Sequence, residues 1–242
     1  MSKKVQFVIP TYNADKNELA SLFKSLKSFP IIVVDNTKKN LGYAGGVTVG
    51  IKRALHDGAD WVVILNQDLH VDNKPIKKFA TILLGSEIGI VGPFGGELDK
   101  KRWTTILPSI HVDYISGSCL AIHKNIFGKI EFYEPYFMYY EDADFCVRAR
   151  KAGFPVEKIF IKGINHEENT SLGRGSFLHQ YYLSRNHLLF VERNAPFFVK
   201  LHELFRLPKT IYEHWERREL GALLGIRDYL FRRFGIYTPL WS

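Results

Sequence analysis

Two acidic segments in this chain have the residue types for group-transfer chemistry. The first is Asn66-Gln67-Asp68, which closes the apolar run Trp61-Val62-Val63-Ile64-Leu65 and precedes Leu69-His70. A carboxylate at the end of a buried strand can hold a divalent cation, and the cation can hold a diphosphate. The same aspartate can instead do no more than cap the following turn. If the chain leaves the strand extended, residues two apart share a face, and Asp68 and His70 then both reach a metal. Oxygen plus imidazole with open positions suits Mn2+ or Mg2+. A third candidate ligand is His166, in Ile164-Asn165-His166-Glu167. The second segment is Glu141-Asp142-Ala143-Asp144 at the start of a helical pattern, where the helix dipole favours anions. One of these acids can act as a base on a hydroxyl. Ordinary capping, with Asp142 as N-cap and Asp144 in the first turn, accounts for the same residues.

Two further segments suit a nucleotide. Pro10-Thr11-Tyr12-Asn13 leaves the first strand with short polar side chains behind a stiffening proline. Asp35-Asn36 leaves the second, where Asp35 can accept from a base edge or a ribose. Asn40-Leu41-Gly42-Tyr43-Ala44-Gly45-Gly46 follows. Its glycines, Gly45 among them, allow backbone to approach a phosphate, and a helix N-terminus there offers unpaired N–H groups. A plain glycine-rich connector is the other reading. The segment is not G-x-G-x-x-G and has no Walker Lys-Ser/Thr, which argues against a dinucleotide enzyme or a P-loop ATPase.

Positioning these residues requires an α/β frame. Apolar runs predict strands over Val5–Ile9, Ile31–Asp35, Trp61–Leu65 and Ile88–Val91. Helical periodicity covers Asn17–Ser28, Gly45–Leu55 and Asn73–Leu84 between them. Strand alternating with helix implies a doubly wound, mostly parallel sheet. Ligands of such sheets lie beyond the carboxyl ends of the strands. After Gly92–Gly96, read as a loop, shorter strands are expected over Val112–Ser116 and Ser118–Ile122, a helix over Ala143–Ala152 and a last strand over Val156–Ile161. From Phe177 the pattern is helical, with Pro196 and Pro208 dividing the tail. Residues 1–195 read as the main domain and 196–242 as a helical appendage.

The 242 residues carry a formal charge of +8, which suits anionic partners, and 46% hydrophobic residues, enough for a large core. No zinc-finger, helix-turn-helix or RNP-like motif supports nucleic-acid binding. Cys119 and Cys146 read as buried thiols of a reducing compartment. With no signal core after Met1-Ser2-Lys3-Lys4 and no spanning run, a cytoplasmic location is expected. The tail mixes basic residues (Lys200, Arg206, Lys209, Arg217, Arg218) with Phe197, Phe198 and Phe205. It reads either as a peripheral membrane-surface element or as a charged face over an ordinary packed or homodimeric helix.

In their order and spacing, Pro10–Asn13, Val34–Asn36, Asn40–Gly46, Leu65–Asp68 and Glu141–Gly153 resemble glycosyltransferase family 2, of GT-A fold, closest to bacterial rhamnosyl- and galactofuranosyltransferase-like members. The resemblance covers about residues 5–195. It implies inverting transfer from a nucleotide sugar, such as dTDP-rhamnose or a UDP-hexose, to a glycan or polyprenyl-diphosphate-linked acceptor in cell-surface polysaccharide synthesis. By the same resemblance Thr11, Asn13, Asp35, Gly45 and Asn66 would meet the nucleotide. Asp68 would stand at the last position of the Asp-x-Asp metal motif, with Asn66 replacing the first acid, and His70 and His166 as further ligands. Asp142 would be the catalytic base. Gly117, Ser118 and Glu141 would line the substrate pocket, and Gly163–Phe177, with Thr170, Ser171 and Arg174, would form a loop over it. Two alternatives stand beside this reading. One is a GT-A-like binding or scaffold protein without catalysis. The other is a nucleotidyltransferase, which would need an Arg/Lys-bearing glycine loop after the first strand, and Pro10–Asp15 does not supply one. The enzyme reading requires Asp68 and Asp142 to share one cleft.

Overall fold

Alternation along the central strands divides the core into two layers. The computed structural model describes residues 4–87, 89–107, 109, 111–165, 173 and 175–239. The chain runs β1 (Val5–Thr11), α1 (Lys16–Leu26), β2 (Ile31–Asp35), α2 (Gly42–His56), β3 (Trp61–Leu65), β4 (His70–Val71) and α3 (Asn73–Gly85). It continues through β5 (Ile90–Gly92), β6 (Gly95–Leu98), β7 (Thr105–Ile106), β8 (Tyr114–Ile115) and β9 (Cys119–His123) to α4 (Glu141–Lys151). It closes with β10 (Val156–Lys158), β11 (Ile164–Asn165), α5 (Phe177–Asn194), α6 (Phe197–Glu216) and α7 (Leu220–Leu230). Phe7, Ile9, Trp61, Val63 and Leu65 face α1 and α3, whose Leu22, Leu26, Ile76, Phe79 and Leu83 are buried against them. Val8, Val62 and Ile64 face α2, α4 and α5, through Val47, Ile51, Phe145 and Phe190. A strand covered on both faces is apolar at every position, which is why β1 and β3 read as unbroken runs.

The main sheet has the order β10-β5-β9-β3-β1-β2. β1 pairs in parallel with β2 and β3, and β10 with β5, while β9 runs antiparallel between β3 and β5. The expected doubly wound, mostly parallel sheet is present, with β9 inserted against its direction. Leu65 pairs with Cys119. The amino end of β9 therefore lies at the same edge as the carboxyl ends of β1, β2 and β3, and this edge carries the site.

Four local expectations are corrected. Gly92–Gly96 is not all loop: β5 extends to Gly92 and β6 starts at Gly95, because β6 pairs with β7 and β8. Its glycines are needed there, since a Cβ on Gly96 would lie 2.5 Å from the Tyr114 ring. β10 stops at Lys158 rather than Ile161, since its register with β5 runs only from Val156 to Lys158. α2 begins at Gly42, not Gly45. Pro208 does not divide the tail but lies inside α6. The carbonyl it leaves without an intrahelical donor belongs to Leu204, an exposed residue that water reaches.

The tail is packed tightly against α5. A Cβ on Gly221 or Gly225 of α7 would come within 2.2 or 2.3 Å of the Phe177 or Tyr181 carbonyl oxygen, so the two helices touch through backbone. Cys119 and Cys146 are free and buried, as expected.

Candidate active site

Side chains tie three strand exits together. Asp35 Oδ1 accepts the Thr37 N–H at 2.8 Å, and Thr37 Oγ1 accepts the Asn13 N–H at 3.4 Å. Asn13 is left-handed, with φ 45°, a conformation asparagine tolerates. The Asn36 N–H donates to the Thr11 carbonyl at 2.8 Å. Gln67 holds both backbone groups of Tyr12, accepting its N–H at 2.8 Å and donating to its carbonyl at 3.2 Å. Thr11, Asn13, Asp35 and Asn66 thus lie side by side at one edge. Asp35 is exposed, and the Thr37 hydrogen bonds hold its pKa below the usual aspartate value.

The glycine-rich turn works differently from the expectation. The Gly42 N–H is taken by Asn40 Oδ1 at 3.1 Å, and the Ala44 N–H by the Phe137 carbonyl at 3.3 Å. These two amides at the start of α2 are therefore bound within the protein. Gly45 lies buried in the first turn. Gly46 lets α2 approach the β2 exit, where a Cβ would lie 2.5 Å from Asn36 Nδ2. Asn36, buried, donates in turn to the Gly42 carbonyl at 3.2 Å.

The exit of β3 is not extended. The Asn66 carbonyl accepts the Leu69 N–H at 3.3 Å, so residues 66–69 turn. The two-residue alternation that would place Asp68 and His70 on one face does not apply. His70 is exposed and starts β4, which pairs with β11 (His70 opposite Asn165). His166, Thr170, Ser171 and Arg174 lie outside the described residues.

The turn between β8 and β9 joins the two acidic segments. Its Ser118 carbonyl accepts the Asn66 N–H at 3.0 Å, two residues from Asp68. Its Gly117 N–H donates to Asp142 Oδ2 at 2.8 Å. Ser116 and Ser118 hydroxyls lie 3.0 Å apart and lock the turn. The Tyr43 hydroxyl donates to the Gly117 carbonyl at 2.5 Å. Burial, then the charges of Glu141 and Asp142, raise the Tyr43 pKa well above its ordinary value. A side chain on Gly117 would meet that oxygen at 2.8 Å. Residues 68 and 142 therefore flank a single turn.

Asp142 is not an N-cap. α4 starts at Glu141 behind Tyr140, which has φ 71°. Asp142 is partly exposed in the first turn, with Oδ1 accepting the Ala143 N–H at 2.7 Å. Desolvation of the carboxyl raises its pKa against those N–H bonds, and the same bonds fix its orientation. Asp144 is fully buried and structural. It accepts from Tyr136, Arg148, Arg193 and Asn194 and so braces α4 on α5.

Glu141 is 5% exposed, and its Oε2 has no hydrogen-bond partner among the described residues. Burial first, then the charge of Asp142, hold its pKa well above the model-peptide value of 4.5. The folded chain then keeps a proton that the unfolded chain releases. The associated stability is complete below pH 4.5 and is lost as pH rises through the folded value. Glu141→Gln is neutral throughout. Urea titrations from about pH 5 to about pH 8 are expected to show a smaller loss of unfolding free energy in this variant than in wild type. Equal pH slopes would show that Glu141 is not the group responsible.

Gln67, Tyr43 and the α5 pair Arg185-Asn186 had no assigned role in the sequence. Asn186, fully buried, donates from Nδ2 to the Tyr136, Met138 and Tyr139 carbonyls at 2.9, 2.6 and 3.0 Å. Arg185 holds the Pro135 and Tyr136 carbonyls from the same side. Their signal was visible: the polar run Ser184-Arg185-Asn186-His187 interrupts the otherwise apolar stretch Tyr181–Val191.

Among the described residues no group of three or more His, Cys, Asp or Glu forms a ready-made metal site. One carboxylate at a strand exit still fits a Mg2+-type cation, which is commonly held by one or two carboxylates, waters and substrate phosphates.

No family model matches the chain. It is 28% identical over 174 residues to the low-salt glycan biosynthesis hexosyltransferase Agl10 of Haloferax volcanii, covering 62% of this chain and 57% of that protein. It is 24% identical to the dTDP-rhamnosyl transferase RfbF of Shigella flexneri, over 94% of this chain and 97% of the relative. It is 32% identical over 111 residues to the N-acetylglucosaminyl-diphospho-decaprenol L-rhamnosyltransferase of Mycobacterium tuberculosis, covering 43% of this chain and 35% of that protein. The chain thus spans just over half of the first of these relatives and about a third of the last. In fold it is similar to Staphylococcus aureus TarS 1–349 in complex with UDP-GlcNAc (TM-score 0.56, 15% identity, 94% of this chain and 80% of that one). It is also similar to the mannosyltransferase PcManGT of Pyrobaculum calidifontis in complex with GDP-Man and Mn2+ (TM-score 0.54, 14% identity, 96% and 75%).

Proposed function

We propose, for a chain that belongs with the family-2-like glycosyltransferases of GT-A fold, inverting transfer of a sugar from a nucleotide-diphosphate donor to a glycan hydroxyl in cell-surface polysaccharide synthesis. The donor is dTDP-rhamnose, which fits the Shigella relative's name, or a UDP-hexose, and the acceptor class is a glycan or polyprenyl-diphosphate-linked glycan. The observation that carries this reading is the turn at Gly117. It orients Asp142 on one side and meets the 66–68 segment on the other.

In this mechanism Thr11, Asn13 and Asp35 hold the nucleoside at the exits of β1 and β2, with Asn66 beside it. Gly117, Ser118 and Glu141 line the sugar side. Asp142 takes the proton of the acceptor hydroxyl as that oxygen attacks the anomeric carbon. The carbon–oxygen bond to the diphosphate breaks as the new glycosidic bond forms. One displacement with one base inverts the anomeric centre, whereas retention calls for a second carboxylate as nucleophile. Asp68 would hold Mn2+ or Mg2+, which when bound offsets charge on the departing diphosphate.

The test is turnover. The purified chain is incubated with a panel of nucleotide sugars and lipid-linked glycans, and nucleoside diphosphate release and glycan product are measured. One donor is expected to turn over, chelator to suppress it, and Mn2+ or Mg2+ to restore it. Full activity in excess chelator would remove the metal role of Asp68. Donor binding without turnover across the panel would favour a non-catalytic nucleotide-binding protein.

A further inference from the structure

Helix α6 is turned inside out. Phe197, Phe198, Leu204, Phe205, Tyr212 and Trp215 recur at helical spacing and share one stripe. That stripe faces away from the protein: Phe198 is 80% exposed, Phe205 75% and Trp215 66%. The polar stripe faces inward instead. Glu203 is buried and accepts from Arg102 Nε at 3.0 Å and Nη2 at 3.3 Å. Arg206, partly buried, pairs with Glu213 at 3.0 Å. A surface helix of a water-soluble domain has the opposite arrangement. The stripe is about 30 Å long, at 1.5 Å per residue.

Its charge identifies the covering surface. Helical geometry puts Lys200 and Lys209 at the two edges of the stripe, and Arg217 and Arg218 follow its end. Lys209 lies 3.9 Å from Glu213, and Glu216 lies at the C-terminal end of the same side. After α7, exposed Phe231 is followed by Arg232 and Arg233. Aromatic side chains with lysine and arginine beside them match the boundary between acyl chains and anionic headgroups. A second copy fits less well, since pairing the stripes would bring together the basic edges of two chains that each carry a net charge of +8. Among the described residues no helix is long and apolar enough to cross a membrane, so α6 would lie on a bilayer rather than span it.

We propose that α6 seats this protein on an anionic membrane surface, with Phe198, Phe205 and Trp215 in the acyl boundary and Lys200 and Lys209 at the phosphates. The inference rests on α6 alone and is independent of the transfer reaction.

The experiment is co-sedimentation of the full chain with phosphatidylglycerol-containing vesicles and with pure phosphatidylcholine vesicles, with analytical ultracentrifugation alongside. Wild type is expected to bind the anionic vesicles preferentially and to lose that preference in high salt. The triple variant F198S/F205S/W215S is expected to bind at least about tenfold more weakly. The variant K200E/K209E is expected to lose the preference for anionic lipid. All five side-chain changes are at exposed positions, so both variants should keep the wild-type Tm. Unchanged vesicle binding by the triple variant overturns the proposal. So does a wild-type chain that ignores vesicles, whether monomeric or forming a dimer that the triple variant dissociates.

Discussion

Asp142→Asn is expected to lower the rate of sugar transfer by about 10²–10⁴-fold, the range for loss of a general base. Donor affinity should change little, because the nucleoside contacts proposed here lie at the exits of β1 and β2. The substitution is informative because shape is nearly kept. Aspartate accepts the Gly117 and Ala143 N–H groups on different oxygens, and asparagine can satisfy only one of them. Against that loss, a carboxylate whose ionisation burial opposes is replaced by a neutral group. Stability is therefore expected to move by less than about 1 kcal/mol. Steady-state kinetics and calorimetric titration with nucleoside diphosphate separate the two effects. A variant that transfers normally but has lost nucleotide affinity would reassign Asp142 to binding.

Arg185→Met carries the largest expected effect on stability, a loss of about 3–5 kcal/mol. The guanidinium is fully buried. It donates from Nη1 to the Gly235 carbonyl at 2.7 Å, from Nη2 to the Tyr136 carbonyl at 2.9 Å, and from Nε to Asn186 Oδ1 at 3.0 Å. Methionine fills much of the volume and satisfies none of these acceptors. The loop it clamps is strained: Phe137, Tyr139 and Tyr140 have φ of 65°, 67° and 71°. Each such residue costs on the order of 1–3 kcal/mol, so the surrounding hydrogen bonds must over-determine the loop. The loop leads directly into Glu141 and Asp142. Activity should therefore fall further than the unfolded fraction explains, even well below the Tm. Arg185→Lys should not rescue it, because an ammonium cannot reproduce the planar fork. Urea unfolding and kinetics on the folded fraction measure both parts. A destabilised variant with wild-type kcat would confine Arg185 to folding.

The frame and its chemistry were legible in the sequence for a local reason. A strand buried on both faces is apolar throughout, as at Trp61–Leu65, and Asn66, Gln67 and Asp68 mark its end; the half-exposed edge strand β2 is an apolar run too, and Asp35 and Asn36 mark its end. What could not be read depends on contacts between distant residues. β6 exists because β7 and β8 pair with it, against the turn propensity of Gly95 and Gly96. The early start of α2 depends on Phe137, which supplies an acceptor about ninety positions away to the Ala44 N–H. The turn at 66–69 is stitched to Ser118, and nothing near Asp68 announces that partner. The inward face of α6 was hidden for the opposite reason. Its amphipathic pattern was plain, but only Arg102, far away in the chain, shows which side meets the protein.

Asp142 is held by peptide groups. Genetic change replaces side chains and leaves peptide N–H groups in place, so the aim of this carboxylate tolerates most drift at the positions that hold it. Fragility concentrates instead at Gly117. There even a methyl group would crowd the Tyr43 hydroxyl, so an innocuous-looking codon change could silence the molecule without touching an acid.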